Sequence, residues 1–492
     1  MIKNQVQLIT YPDSLGGDLP KLDFVLGKYF PDLFTGGIHI LPPFPSSGDR
    51  GFAPLTYLEI EPKFGTWEDI KQIGEKHAII LDLMVNHISA KSTYFKDFLK
   101  KGRESKYADL FIPLEKIWSD GHPIQEDIAK IFLRREKPYS DFKIDKNGKV
   151  EKIWTTFGKT NPSEQIDIDI NSPITIDLFT QFLTNFSLNN IKIVRLDAVG
   201  YVIKKLGTTC FFVEPEIYEF LEWICKLARS MNIEILPEIH AEYQTQFKLA
   251  KAGYWIYDFI LPYRILEAII TRSSKRLKEY LQIRPHNQFT MLDCHDGVPV
   301  KPDLDGLYHG KEVRKVVDHC IKNGANLSYI LSPAHKDQDG FDVHQIRGSY
   351  YSLLDCNDSA YLIARAIQFF VPGIPQVYYV GLLAGKNDTE AVEKTGEGRE
   401  INRHNYTIDE IDHEVGRDVV IKMVELIKFR NTHSAFNGVF NMEISDDQSI
   451  VLSWINQDIS ARLIVDLTNF TSEITYNDPK TKNLCILGLK CG

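Results

Sequence analysis

The sequence predicts an α/β fold: a (β/α)8 TIM barrel with two inserted lid domains and a small C-terminal β domain. Three observations predict it. Short Val- and Ile-rich runs alternate with longer amphipathic segments, the pattern of a parallel sheet covered by helices. Two gaps between those runs are far too long for an ordinary connection. Beyond residue 436 the pattern changes to closely spaced alternating strands, SIVLSWI, ARLIVDL and SEITYN.

In chain order, the runs are 6–11, 36–41, 78–84, 192–197, 234–238, 254–258, 289–294 and 375–379. Eight is the number that closes a barrel, whose catalytic groups sit at the C-terminal ends of the strands. The first run lies in MIKNQVQLITYPDS, where the apolar stretch is too short for the hydrophobic region of a signal peptide, so a strand is the simpler reading. After the third run comes an insertion over residues 86–169, rich in Lys, Asp and aromatics; after the seventh comes another, over 297–357. Long loops at these places are expected to wall a pocket. The barrel itself then takes residues 1–85, 170–296 and 358–435, and the terminal β domain takes 436–492.

Composition bounds the function. With 492 residues, 43% hydrophobic and 25% charged, the chain can bury a large core. A formal charge of −9 argues against a general nucleic-acid or anionic-membrane surface, so any anion site must be built locally. The seven cysteines show no metal-like CxxC spacing and fit reduced thiols, which points to the cytoplasm. No stretch approaches a membrane span. No phosphate-cradling glycine loop, nicotinamide fingerprint or metal motif is apparent, and neither an organic cofactor nor a metal is expected.

The most informative segment is VRLDAVGY at 194–201. On a strand, Arg195 and Asp197 point to the same side, so the cation can keep the acid ionised as a nucleophile. Two more carboxylates follow other apolar runs: Glu238 in EILPEIH and Asp296 in LDCHDG. Three acids at strand ends point to sugar chemistry. Glu238, leaving an apolar segment near other carboxylates, is expected to be the one kept protonated. Such a split is what a retaining glycosidase needs of two carboxyl groups about 5–5.5 Å apart.

Four ordered motifs, DLMVNH at 82–87, VRLDAVGY at 194–201, EILPEIH at 234–240 and LDCHDG at 292–297, make the chain resemble the alpha-amylase superfamily (glycoside hydrolase family 13). QLITYPDSLG, HILPPFPSSGDRGFAP, PGIPQVYYVGLLAGKND and GREINRH narrow the resemblance to the sucrose phosphorylases, from Val6 to about Phe436. The resemblance implies Asp197 as nucleophile, Glu238 as general acid/base and Asp296 as transition-state stabiliser. It further implies a glucose pocket lined by Asp49, Phe52, His87, Gln165, Arg195, His295 and Arg399, with both histidines donating to ring hydroxyls. Asp82 and Asn86 read as structural supports. Some superfamily relatives bind calcium near Asn86, whereas the phosphorylase branch generally does not.

The three acids cannot decide which nucleophile enters second, because hydrolysis, transglycosylation and phosphorolysis share the glucosyl-enzyme step. Inorganic phosphate approaching Glu238 and Asp296 meets like charges, each costing roughly 3 kcal/mol at about 5 Å with an effective dielectric near 20. Candidates to offset this are Arg134, Arg135, Tyr201, His240, His344 and Gln345, with Lys336 and Arg347 as weaker additions. Family similarity places Arg135, His240 and Tyr201 near the phosphate. Two departures from ordinary sucrose phosphorylases add donors: His344 in FDVHQIRGSYY stands where a tyrosine is typical, and Arg134 in IFLRREKP where a proline is common. The pattern is similar to that of the sucrose 6(F)-phosphate phosphorylases. The expected partners are therefore a small sugar and inorganic phosphate, with no nucleic acid and no membrane, acting on a monomer or homodimer. Plain sucrose, glucosylglycerol and glucosylglycerate remain alternative substrates, and a noncatalytic sugar-binding barrel is the alternative of a different class.

Overall fold

The computed structural model describes residues 2–489, so Met1 and positions 490–492 of the expected terminal domain lie outside the described residues. The eight barrel strands are β1 (Gln7–Thr10), β2 (Gly37–Ile40), β3 (Ile79–Met84), β4 (Ile193–Asp197), β5 (Glu234–Pro237), β6 (Ile256–Asp258), β7 (Gln288–Thr290) and β8 (Ile374–Tyr378). Their hydrogen-bonded order is β6-β7-β8-β1-β2-β3-β4-β5. That is the chain order begun at a different strand, which makes a nearly closed (β/α)8 barrel. Pairings of β1 with β8, β3 with β4, β4 with β5, and β7 with β6 and β8 are all parallel. Every residue of β3 and β8 is buried, as strands flanked by helices on one face and a packed barrel interior on the other require.

The covering helices begin where their sequences supply caps. Ser172 accepts from the Ile174 amide and Pro173 opens Pro173–Leu188, while Thr66 and Asp69 form a capping box on Trp67–Gly74. Helix Asp358–Phe370, capped by Asn357, is buried on nearly all sides.

By Cα packing the chain divides into two compact units, Met1–His39 with His240–Tyr329 and Val343–Gly492, and Ile40–Ile239 with Ile330–Asp342. In the second unit, the segment after β3 opens with His87–Ser89 paired antiparallel to Gln165–Asp167 and carries the hairpin Tyr139–Lys143/Val150–Trp154. It has its own apolar centre, in which Trp118 and Trp154 stack beside Ile112, Leu114 and Ile131. Loop 330–342 packs onto it: the Leu133 amide donates to Ser332 Oγ (2.8 Å) and His335 meets the Phe132 ring edge-on.

In the first unit, the segment after β7 forms a three-stranded antiparallel sheet of Val298–Pro299, Val343–Arg347 and Asn326–Tyr329. The terminal sheet has five antiparallel strands rather than the three legible in the sequence, because Val439–Glu443 and Leu484–Gly488 are half-exposed edges without strong alternation. One barrel strand also differs from expectation. The run 289–294 is a strand only as far as Thr290; the Asp293 carboxylate then turns to a bidentate contact with Arg365 (2.7 and 2.8 Å), and the chain leaves the sheet. Asp296 therefore stands on a loop six residues beyond β7, whereas Asp197 ends β4 and Glu238 directly follows β5. Among the described residues no helix is long and apolar enough to cross a membrane, and the six described cysteines are free thiols.

Candidate active site

Strand register builds the first half of the site. Asp82 of β3 lies beside Arg195 of β4, and Met84 beside Asp197. The Arg195 guanidinium, almost wholly buried, pairs with Asp82, with Asp197 Oδ1 at 3.3 Å and with Glu238 Oε1. The expected contact of Arg195 with Asp197 is present, and Asp82 and Glu238 share the same guanidinium. One fork joins both carboxyls, because β4 and β5 are adjacent and Arg195 is opposite Leu236, two residues before Glu238. Contact with both carboxyls means that Arg195 by itself does not tell the two acids apart. Ala198, immediately after Asp197, adopts φ +55°, a left-handed conformation that breaks the strand at once and stores local strain beside the acid.

The Phe52 carbonyl collects two buried donors, His87 Nε2 at 2.9 Å and Gln165 Nε2 at 3.1 Å, and its ring lies 5.7 Å from the Arg195 guanidinium. A carbonyl only accepts, so Nε2 of His87 carries the proton. Burial outweighs the Phe52 hydrogen bond and the nearby Asp167 and Asp49 charges, and holds the His87 pKa below its usual value. The ring is neutral, and among the described residues its buried Nδ1 has no hydrogen-bond partner. It offers a hydroxyl an acceptor, which corrects the expectation that His87 donates. Asp49 opens the turn at 49–51 with φ +47°.

Behind these residues is a group the sequence reading missed. The Lys204 ammonium donates to Asn86 Oδ1 (2.7 Å) and the Tyr201 carbonyl, and pairs with Asp167 Oδ2 (2.7 Å). Asp167 also accepts from the Thr156 amide, the Thr156 hydroxyl and Asn86 Nδ2. A fixed cation thus ties the segment after β3 to the turn after β4. Tyr201 itself sits in an aromatic cluster with Phe132, Phe157 and Phe211.

A second group of candidate residues belongs to the first unit. Burial would push the Asp296 pKa up, but Arg399 (Nε 3.3 Å away), His295 (3.7 Å), Arg403 (3.9 Å) and His240 together hold it well below the usual carboxylate range. Its Oδ1 accepts no hydrogen bond among the described residues, so a buried anionic oxygen is set to receive one. Gly297 follows with φ +128°; a Cβ there would collide with the Ile346 carbonyl, so only glycine lets this loop pass strand Val343–Arg347 so closely. Arg403, four residues after Arg399 in GREINRH and overlooked in the sequence, anchors the loop by donating from Nε to the His295 carbonyl (3.0 Å).

The expected acceptor residues divide between the two units. In the second, Arg135 directs its donors to Ser140 Oγ, Thr155 Oγ1 and the Thr160 carbonyl, each at 3.0 Å, and so braces the hairpin. Arg134 is half-buried, its guanidinium 6.0 Å from the Phe157 ring. In the first unit, His240 Nδ1 meets buried Asp303 at 3.2–3.3 Å, its ring stacks on Phe259 and its edge faces His344. His344 Nδ1 donates to the Lys301 carbonyl, and buried Gln345 Oε1 has no hydrogen-bond partner among the described residues. Lys336 pairs with Asp342 (2.7 Å) near the surface, as suits a solvent-facing group.

The chain is similar to known proteins along almost its whole length. The family model for the alpha-amylase catalytic domain matches residues 16–259. The sucrose 6(F)-phosphate phosphorylase of Thermoanaerobacterium thermosaccharolyticum is 61% identical over 475 residues, 96% of this chain and 97% of that one. This chain belongs to the sucrose phosphorylase family of the alpha-amylase superfamily. A second member of the family, the sucrose phosphorylase of Streptococcus mutans, is 42% identical across 97% of this chain and 98% of its own. The crystal structure of sucrose 6F-phosphate phosphorylase from Thermoanaerobacter thermosaccharolyticum superposes with a TM-score of 0.98 at 59% identity, covering 99% of each chain. The barrel is the fold of this family.

Proposed function

We propose that this enzyme reversibly phosphorolyses sucrose 6'-phosphate to α-D-glucose 1-phosphate and D-fructose 6-phosphate with net retention. Asp197 attacks the anomeric carbon while Glu238 gives its proton to the departing fructosyl oxygen. Phosphate, deprotonated by Glu238, then displaces Asp197 from the same carbon. Asp296 stabilises the positive charge that develops on the sugar ring in both steps, and His87 accepts a sugar hydroxyl at Nδ1.

One observation carries the chemistry: Asp197 and Glu238 stand at the ends of adjacent strands with a single guanidinium between them. Asp296, charged by its cationic surroundings, follows a third strand of the same parallel sheet, and catalytic groups of such barrels gather at that end. We assign residues 86–169 and 297–357 as inserted lid domains and residues 436–492 as a C-terminal β domain. The phosphorylated acceptor is supported by the name of the 61% identical relative, with Arg134 as its cationic group and His344 as a further donor. Each charge-assisted hydrogen bond to a phosphate is worth roughly 1.5–3 kcal/mol. No metal is required, because Lys204 supplies the cation that ties Asn86 to Asp167. Free thiols fit the reducing cytoplasm as the place of reaction.

A second reading is phosphorolysis of plain sucrose. It is favoured by Arg135, whose donors are engaged by the hairpin and so contribute less to holding a phosphorylated fructose.

The test follows products from sucrose 6'-phosphate and from sucrose, with and without inorganic phosphate. Glucose 1-phosphate formed only with phosphate, and faster from the phosphorylated sugar, is expected. Free glucose released at full rate without phosphate would overturn the phosphorylase reading; equal efficiency on both sugars would overturn the acceptor.

A further inference from the structure

Helix Asp358–Phe370 reads DSAYLIARAIQFF, and an arginine in so apolar a segment needs a reason. Arg365 has no exposed surface and lies four residues after Tyr361 and three before Gln368, so the three side chains share one face of the helix. Its Nη2 donates to both oxygens of buried Asp293 (2.7 and 2.8 Å), its Nε to the Tyr361 hydroxyl (3.0 Å) and its Nη1 to Gln368 Oε1 (2.9 Å). Tyr361 donates in turn to the Gly381 carbonyl, and Gln368 Nε2 donates to the Thr290 and Gln376 carbonyls of β7 and β8 (3.0 and 2.8 Å). A Cβ on Gly381 would overlap both the guanidinium and the Asp293 carboxylate, so the pair fills its place without slack.

These contacts fall where β7 gives way to the loop that carries Asp296. Beyond Asp293, the Cys294 carbonyl accepts from Asn402 Nδ2 (3.1 Å) and the His295 carbonyl from Arg403 Nε (3.0 Å). Each of the three residues before Asp296 is thus held by a side chain from outside the loop, and Arg365 makes the first of these holds. A buried ion pair is weak as a source of stability, because both charges must be desolvated and apolar groups of similar size often do as well. What the guanidinium adds is direction. A planar fork that serves three acceptors at once leaves Asp293 a single orientation.

We propose that Arg365 is a positioning residue for Asp296, acting through Asp293 to set the path of the loop at 291–296. This rests on the phosphorolysis reading, in which Asp296 stabilises the charge developing on the sugar ring, and deepens it. With no exposed surface, Arg365 acts on the reaction only through that loop. A loop free to shift by about 1 Å misplaces the carboxylate relative to the anomeric carbon, which costs up to about a hundredfold in turnover. An interaction made in the transition state is lost, so turnover falls while ground-state binding is largely kept.

The double variant Asp293→Asn/Arg365→Met removes both charges together, so neither is left buried and unpaired. With α-D-glucosyl fluoride and inorganic phosphate as substrates, kcat for glucose 1-phosphate formation should fall by about 10–100-fold, and KM for either substrate should change by less than about threefold. The decisive comparison repeats the double substitution in Asp296→Asn: with no carboxylate left to position, kcat should fall by less than about threefold further. Arg365→Lys, which keeps a charge beside Asp293 but loses the fork, should give the same pattern and carries the comparison where the double variant does not fold. Wild-type turnover in either variant, or an equal further loss with and without the Asp296 carboxylate, would overturn the proposal, since the pair would then only stabilise the fold. A failure of the phosphorolysis reading is distinct: the wild type itself forms no glucose 1-phosphate, or Asp296→Asn alone leaves kcat unchanged.

Discussion

Lys204→Met replaces a buried ammonium by an apolar side chain of similar length. Lys204 is 3% exposed and Asp167 0%, so the substitution strands a carboxylate away from water and leaves Asn86 Oδ1 without its 2.7 Å donor. Breaking a buried ion pair from one side costs about 3–5 kcal/mol. Asp167 retains three donors, the Thr156 amide at 2.7 Å, the Thr156 hydroxyl at 2.6 Å and Asn86 Nδ2 at 3.0 Å, which argues for the lower end, about 3 kcal/mol. At roughly 2–4 °C per kcal/mol for a unit of about 200 residues, melting should fall by about 6–12 °C. Differential scanning fluorimetry with and without EDTA or added calcium provides the assay. The wild type should melt at the same temperature in all three conditions, while the variant melts lower in each. A fall of less than about 2 °C, or a wild type destabilised by EDTA, would refute the reasoning that Lys204 is the structural cation of this site.

The remaining predictions concern chemistry. Arg399→Gln removes a charge 3.3 Å from Asp296, whose pKa is held down by Arg399, His295, Arg403 and His240 against the opposing effect of burial. Activity requires the charged form, present above that depressed pKa and lost as pH falls through it, so the acid limb of kcat/KM should move up by about one pH unit; an unmoved limb contradicts the assignment. Arg134→Ala and His344→Tyr should lower kcat/KM for sucrose 6'-phosphate by roughly tenfold or more and affect sucrose less, as the loss of one charge-assisted hydrogen bond implies. Equal losses on both sugars would count against an acceptor clamp.

The barrel was legible because its signals are local and redundant: the eight apolar runs lie within a few residues of the eight strands. The pairing of Arg195 with Asp197 was legible too, since residues two apart on a strand share a side. What escaped depends on neighbours distant in sequence. Arg195 also holds Asp82 and Glu238 because of the registers of β3, β4 and β5, which no pattern within one strand reveals. Lys204 and Lys205 are adjacent and look alike in YVIKKL, yet the first is buried against Asp167 and the second is half-exposed against Glu216. The direction of the turn after Tyr201 separates them. The His87 tautomer follows from a carbonyl thirty-five positions away, and Asp303 drew no notice because nothing near it in the chain hints at a histidine partner.

The central claim, a covalent glucosyl intermediate on Asp197 that phosphate resolves, is tested most directly by trapping it. Glu238→Gln incubated with α-D-glucosyl fluoride, whose leaving group needs no proton, should accumulate a glucosyl ester that peptide mass spectrometry locates on Asp197. Asp197→Asn in the same background should show none. An adduct on another residue, or rapid turnover without any adduct in both variants, would contradict the assignment.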